Sequence, residues 1–280
     1  MEHGFAGHAY TLGIEEELMI LDGSSLELVN GIEAMLEPAP RGEIKPELME
    51  SVLEISTDPC AGVSEAGDQL RALRAQAAAT AERQGMASTR TPIFRAFPRV
   101  GVPPTYADWA DYERRIEFMV QAGVIADYTY LWHDVRPHPR FGTVEVRVMD
   151  SQTHVEHALG IAALIQALVR ELSEHFDAGR KLSSYPFEML DENRWLAARH
   201  GLDGELVDLP SPERVATRAL ARRLIDRMRD HCADLGSLSE LEAVEDLVAR
   251  GNGAARQVVV YEANHDLHEV MAEIVAGTRV

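Results

Sequence analysis

Glutamates set inside apolar, strand-like runs are the residues of this 280-residue sequence whose types and spacing first point to chemistry. In "GIEEELMI" (13–20), Glu15 and Glu17 share one face of an extended segment and Glu16 takes the other. In "SVLEIST" (51–57), Glu54 stands between Leu53 and Ile55, and in "TVEVRVM" (143–149), Glu145 shares a side with Arg147. Desolvating a carboxylate is costly unless it is paired or bound to a metal. If the three strands are neighbours, Glu15, Glu17, Glu54 and Glu145 line one surface. Magnesium takes oxygen ligands of this kind, from carboxylates and from phosphates. Arg147 beside them would neutralise a transferring phosphoryl group. A half-exposed sheet with surface ion pairs produces the same spacing, so the convergence of three segments is what favours a cation site.

Other candidates lie in turns. "WHDVRPHPRFG" (132–142) offers Asp134 and Arg136, with His138 between prolines reading as a rigid surface residue. Arg90, Arg95 and Arg99 punctuate the proline-rich "ASTRTPIFRAFPR" (87–99), where guanidinium forks could hold a carboxylate or phosphate. "GNGAARQ" (251–257), which contains Arg256, is only loosely like a phosphate loop, because it lacks the Walker and dinucleotide spacings. The pairs His3/His8 and His154/His157 lack zinc-ligand spacing.

Composition sets the bounds. A net charge of −19 disfavours nucleic acid and anionic membranes as partners, although a few local arginines and a divalent cation suffice for ATP. Cys60 and Cys232, far apart and outside any CxxC pattern, fit a reducing cytoplasm. With no apolar run long enough for a membrane span and no signal-like start, the expectation is a cytoplasmic protein, with a homodimer as the default assembly.

The elements that must position these residues follow from periodicity. Strands are expected over 10–22 and 51–57, paired in one sheet, with a helix over 64–84. A loop-rich stretch (89–106) precedes a helix over 106–123, capped by Asp108 and stopped by Gly123. A strand around 128–136 and another at 143–149 read as a hairpin. Helices are expected over 154–176, 186–200, 211–235, 237–250 and 264–277, with Ser211 and Ser237 as caps. The reading is a single α+β domain over 1–280, strand-rich in 10–150 and helix-rich in 151–280, with helices packed on one face of an antiparallel sheet.

"GIEEELMILD", "ELMESVLEISTD", "ASTRTPIFRAFPRVGVPP", "DYTYLWHDVRPHPRFGTVEVRVMDSQT" and "ENRWLAARHGLDGELVD", in that order, resemble the bacterial carboxylate-amine ligase family of the glutamate-cysteine ligase 2 type. The similarity runs from about Tyr10 onward and includes "GNGAARQ". It implies a sheet similar to the catalytic sheet of glutamine synthetase and a reaction dependent on ATP and magnesium, nominally γ-glutamylcysteine formation through an acyl phosphate. It also implies small-molecule substrates: glutamate, with cysteine or another amine. By the same resemblance, Glu15, Glu17, Glu54 and Glu145 are metal ligands, and Arg147 and Arg136 contact phosphate or carboxylate. Arg90, Arg95, Asp134 and Arg256 fall to substrate or nucleotide. Family members carry, between the helix ending near Gln84 and "ASTR", a long stretch with a Gly-Thr-His-Pro element and a His-Val-His-Val-Gly strand. Here "ERQGM" meets "ASTR" directly, and Val258 stands where an arginine is common. Loss of that stretch implies weakened catalysis, and the alternative is a silent homologue acting as a binding or scaffold protein.

Overall fold

In the computed structural model, which describes residues 3–5, 9–90 and 99–279, with Arg90 described in its backbone alone, the elements follow in order. They are β1 (Glu15–Asp22), α1 (Ile32–Met35), β2 (Glu43–Pro46), β3 (Val52–Ser56), α2 (Val63–Arg83), β4 (Met86–Arg90), β5 (Val100–Gly101) and α3 (Trp109–Gln121). After a 3-10 turn at Tyr128–Tyr130 come β6 (Trp132–His133), β7 (Val135–His138), β8 (Thr143–Val146), α4 (Val155–Asp177), α5 (Phe187–His200), β9 (Glu205–Asp208) and β10 (Glu213–Ala216). The remainder is helical: α6 (Thr217–Asp234), α7 (Leu238–Arg250), α8 (Gly253–Asn264) and α9 (Leu267–Thr278). The chain divides into two interleaved compact units. One holds Met1–His8, Ile93–Asp150 and Ser183–Val215; the other holds Ala9–Pro92, Ser151–Leu182 and Ala216–Val280. These units do not follow the strand-rich and helix-rich halves of the sequence.

The unit containing the N-terminal strands is built on an antiparallel sheet of order β2-β3-β1-β4, so the expected pairing of 10–22 with 51–57 is present. Alternation sends Leu18, Ile20, Leu53 and Ile55 to one face, against Leu70, Leu73 and Ala77 of α2 and Val155 and Leu159 of α4. Full burial of each such aliphatic side chain contributes about 1.5–3 kcal/mol. The opposite face is also covered: Met19, Leu21 and Ala87 pack against Met271 and Val275 of α9. The expectation of helices on one face only is therefore corrected. The reason lies in "LMIL" (18–21), a continuous apolar run that needs cover on both sides where a half-exposed strand would alternate.

Helix α4 meets α7 at Gly160, where an added Cβ would stand 2.7 Å from the Glu240 carbonyl oxygen and 2.8 Å from Val244 Cγ2. Gly160→Ala should gain roughly 1 kcal/mol of helix propensity but lose more by forcing the helices apart, at about 1–3 kcal/mol for overpacking. A lowered urea midpoint at constant slope would check this.

In the other unit, α3 starts where Asp108 accepts a 2.8 Å hydrogen bond from the Asp111 amide and stops before Gly123 (φ +68°), as the sequence predicts. Tyr112, Ile116, Ile125 and Leu131 form its small core. β7 and β8 make the expected hairpin, shorter than predicted because the 3-10 turn takes residues 128–130 and β8 ends at Val146.

Two expectations fail locally, and one helix, α8, was not foreseen. Residues 205–208 and 213–216 form the hairpin β9–β10, so Ser211 lies in a turn, its amide bonded to the Asp208 carbonyl, and α6 begins only at Thr217. Pro210 and Pro212 break the helical path there. Ser237 does precede α7, but its buried hydroxyl donates to the Cys232 carbonyl and caps nothing. "GNGAARQ" is the start of α8, whose first turn is capped by the Asn252 side chain accepting from the Ala255 amide at 3.0 Å. Among the described residues, no helix is long and apolar enough to cross a membrane.

Candidate functional site

The expected carboxylates divide between the two units. In the four-stranded sheet, Glu17 lies opposite Glu54 across β1–β3, and Glu54 lies opposite Lys45 across β3–β2, giving a row Glu17, Glu54, Lys45 on the face that Met19 shares. Side chains so placed have Cβ atoms about 4.5–5.5 Å apart, and like charges directly opposite repel. Lys45 Nζ lies 2.8 Å from Glu54 Oε1. Burial would lower the Lys45 pKa, but Glu54, aided by Glu15 and Glu43, outweighs it and holds the ammonium above its ordinary value. The Glu54 side chain is 13% exposed, and its buried Oε1 is held by the Lys45 ammonium. Glu15, exposed, faces Ser56.

Glu16, on the opposite face, is held in a buried ion pair. Arg74 of α2 grips it bidentately, Nε to Oε2 at 2.8 Å and Nη2 to Oε1 at 2.7 Å, with both side chains almost fully buried. The same guanidinium donates to the carbonyls of Thr153 (2.7 Å) and Gln152 (2.8 Å).

In the other unit, Glu145 accepts from two arginines. Arg136 Nε reaches Oε2 at 2.6 Å and Arg147 Nη1 reaches Oε1, so the predicted shared side of Glu145 and Arg147 is present. Arg136 Nη1 also donates to the Thr129 and Leu131 carbonyls, at 2.5 and 2.9 Å. Its donors thus fasten the hairpin to the turn before it. Among the described residues, strand β8 pairs with β7 and shares no sheet with β1 or β3, so the condition of one common sheet is not met. Asp134 is buried, with Oδ2 2.8 Å from Arg194 Nε of α5, while its carbonyl accepts from the Arg147 amide.

Burial alone would raise the Glu145 pKa, but the two guanidiniums hold it below its ordinary value of 4.5. A depressed carboxylate contributes stability that is present above the unfolded-state pKa and is lost as pH falls through the folded one. Glu145→Gln should therefore cost about 1–2 kcal/mol at neutral pH and flatten the loss of stability below pH 4.5. Urea midpoints measured down the acid limb for both proteins would show it.

The remaining candidates are dispersed. Arg90 is in β4 with its backbone paired to Leu18, and Arg95 lies outside the described residues. Arg256 donates back to the Gly251 carbonyl at 3.0 Å. His154 and His157 stack edge to face at 5.4 Å, and burial, reinforced by Arg256 and His154, lowers the His157 pKa. Among the described residues, no three carboxylate, histidine or cysteine side chains gather closely enough to hold a metal ion by themselves. A magnesium ion needs fewer, since one or two carboxylates plus phosphate oxygens and water complete its shell. Glu17 and Glu54, directly opposite each other and both half-buried, supply two carboxylates of that kind.

The Glu16–Arg74 pair was missed by sequence reasoning. Its signal is Arg74 itself, a charge lying in the apolar stripe of Leu70, Leu73 and Ala77 on α2.

The sequence profile of glutamate-cysteine ligase family 2 matches residues 11–88 and 80–275. "Putative glutamate–cysteine ligase 2-1" of Rubrobacter xylanophilus is 32% identical over 368 aligned positions, covering 100% of this chain and 97% of its own. "Putative glutamate–cysteine ligase 2" of Chloroflexus aurantiacus is 29% identical over 362 positions (98% and 93%), and its namesake in Sorangium cellulosum is 28% identical over 363 (97% and 97%). These alignments exceed the 280 residues of the chain, so the relatives hold positions with no counterpart in it.

Proposed function

The chain belongs to glutamate-cysteine ligase family 2, and from that premise we propose that it is an ATP- and magnesium-dependent carboxylate-amine ligase acting on small-molecule substrates, with glutamate as the carboxylate and cysteine or a related amine as acceptor. The observation that carries the reading is the half-buried pair Glu17 and Glu54, directly opposite each other across β1–β3, with one ammonium, Lys45, paired to Glu54. A magnesium ion bound there would neutralise phosphate charge. In the reaction so inferred, the substrate carboxylate attacks the γ-phosphate of ATP, ADP leaves, and the amine displaces phosphate from the acyl phosphate. Chemistry of this kind depends on positioning and charge neutralisation more than on covalent participation by the protein.

The chain's residues then divide by task. Glu17 and Glu54 hold the cation, and Lys45, 2.8 Å from Glu54 Oε1, orients that carboxylate. Glu15 and Glu145 remain candidates for the same ion, and Arg90, Arg95 and Arg256 for the phosphates or the glutamate carboxylate. Arg147 shares the charge of Glu145 in its hairpin, and Arg136 and Asp134 act by positioning, since their partners in the structure are protein groups. A second reading, a silent homologue that binds nucleotide without turning it over, is favoured by the positions that the relatives carry and this chain lacks.

ADP release measured with glutamate, cysteine and magnesium separates the two. Turnover that disappears on chelation supports the ligase. A rise in the thermal midpoint with ATP and magnesium, with no turnover, supports the silent form. The absence of both responses would remove nucleotide from the proposal altogether.

A further inference from the structure

In the unit containing α3, a cleft of about 510 Å³ opens between Arg99, Tyr106, Arg114, Arg115, Phe118 and His133. Its size is that of a small-molecule site, commonly about 300–1,000 Å³. In the other unit, a void of about 10 Å³ beside Arg74 admits a single water at most.

The walls of the cleft are apolar. Phe118 is 73% exposed there and Leu131 is buried at its base. The polar lining is cationic, and among the described lining residues none is acidic. Arg114, Arg115 and Phe118 share one face of α3 through their spacing of three and four residues. Both guanidiniums rest on the single carboxylate of Asp111, which leaves a surplus of positive charge. Arg115 is also fixed: it lies over the Tyr106 ring at 5.2 Å and bonds Asp111 through two nitrogens. Arg99 lies over Trp132 at 5.5 Å with Nε on the Tyr130 carbonyl, held in a left-handed backbone conformation (φ +62°) that non-glycine residues seldom adopt.

A cationic, aromatic-walled recess in a protein of net charge −19 is selective for one class of ligand. A cation would be repelled, and a neutral apolar molecule would leave the arginines unused. Guanidiniums preset by stacking bind an oxyanion with little loss of entropy, while Phe118 and Leu131 remove a flat body from water. We propose that this cleft binds a small organic oxyanion with a flat apolar body, of the aryl carboxylate or aryl phosphate class. It does so with none of the residues assigned above to the ligase reaction.

Titration of the full chain with 2-naphthoate, 2-naphthyl phosphate and the neutral 2-naphthamide tests this. At least one of the two anions should bind saturably at one site per chain, and the amide at least tenfold more weakly; which anion binds tighter identifies the head group. Phe118→Glu should weaken binding tenfold or more, and Arg114→Gln severalfold. Both side chains are largely exposed, so thermal midpoints should stay at the parent value, and if Phe118→Glu unfolds the protein then Arg114→Gln decides. Equal binding of the amide, no saturable binding of either anion, or parent-like affinity in both folded variants overturns the proposal.

Discussion

Arg74→Ala should lower the stability of the folded chain by about 3–5 kcal/mol, because it leaves the Glu16 carboxylate buried without its cation. The guanidinium makes two contacts to Glu16 and two to the carbonyls of Thr153 and Gln152, so one truncation strands a charge and two backbone acceptors. An apparent thermal midpoint lower by on the order of 10 °C follows for a chain of this size. The double substitution Glu16→Leu with Arg74→Met separates the pair's net contribution from the penalty of breaking it. Removing both charges should recover most of the loss, since buried ion pairs are often no more stabilising than apolar residues of similar volume. A double variant as unstable as Arg74→Ala would assign the loss instead to the carbonyls of residues 152 and 153, to which Arg74 donates.

The second large effect concerns Glu54 and Glu17. If they hold magnesium, Glu54→Gln and Glu17→Gln should each reduce magnesium-dependent ADP release by roughly 100-fold or more, beyond what loss of an outer-shell partner usually costs. Stability should move the other way. Two carboxylates directly opposite across β1–β3 repel, so Glu17→Gln in chelator should be neutral or up to ~1 kcal/mol more stable than the parent. A variant that is at least as stable and yet inactive is the signature of a site held together against its own electrostatics. Turnover that survives both substitutions would remove these residues from the cation. If the parent turns nothing over, the same variants should abolish the thermal shift produced by ATP with magnesium.

Where local periodicity and capping decide the structure, the sequence was sufficient. Asp108 and Gly123 bound α3 as their chemistry requires, and alternation in "TVEVRVM" placed Glu145 beside Arg147. Long-range partners were another matter. Nothing near Glu16 names Arg74, which lies 58 residues away, and the pairing arises only when α2 packs on the sheet. Strand neighbours were equally hidden: "SVLEIST" and "TVEVRVM" look alike, yet the first joins β1 and the second forms a hairpin with β7. In 205–216, strands of four residues are too short to show a period, and the prolines resembled a helix start. Of the candidate site, sequence reasoning found the acidic residues and one ion pair, but not that Lys45 sits on Glu54, because register across β2–β3 is set by tertiary packing.

The interleaving of the two units bears on how the protein is made. A nascent chain emerging from the ribosome completes β1 to β4 early, yet the Met19–Leu21 face stays bare until α9 has been synthesised, with stretches of the other unit translated in between. Until then the sheet offers sticky surface to chaperones or to other unfinished chains. Yield in the cell should therefore respond more sharply to changes in Met271 and Val275 than their modest share of the finished core implies.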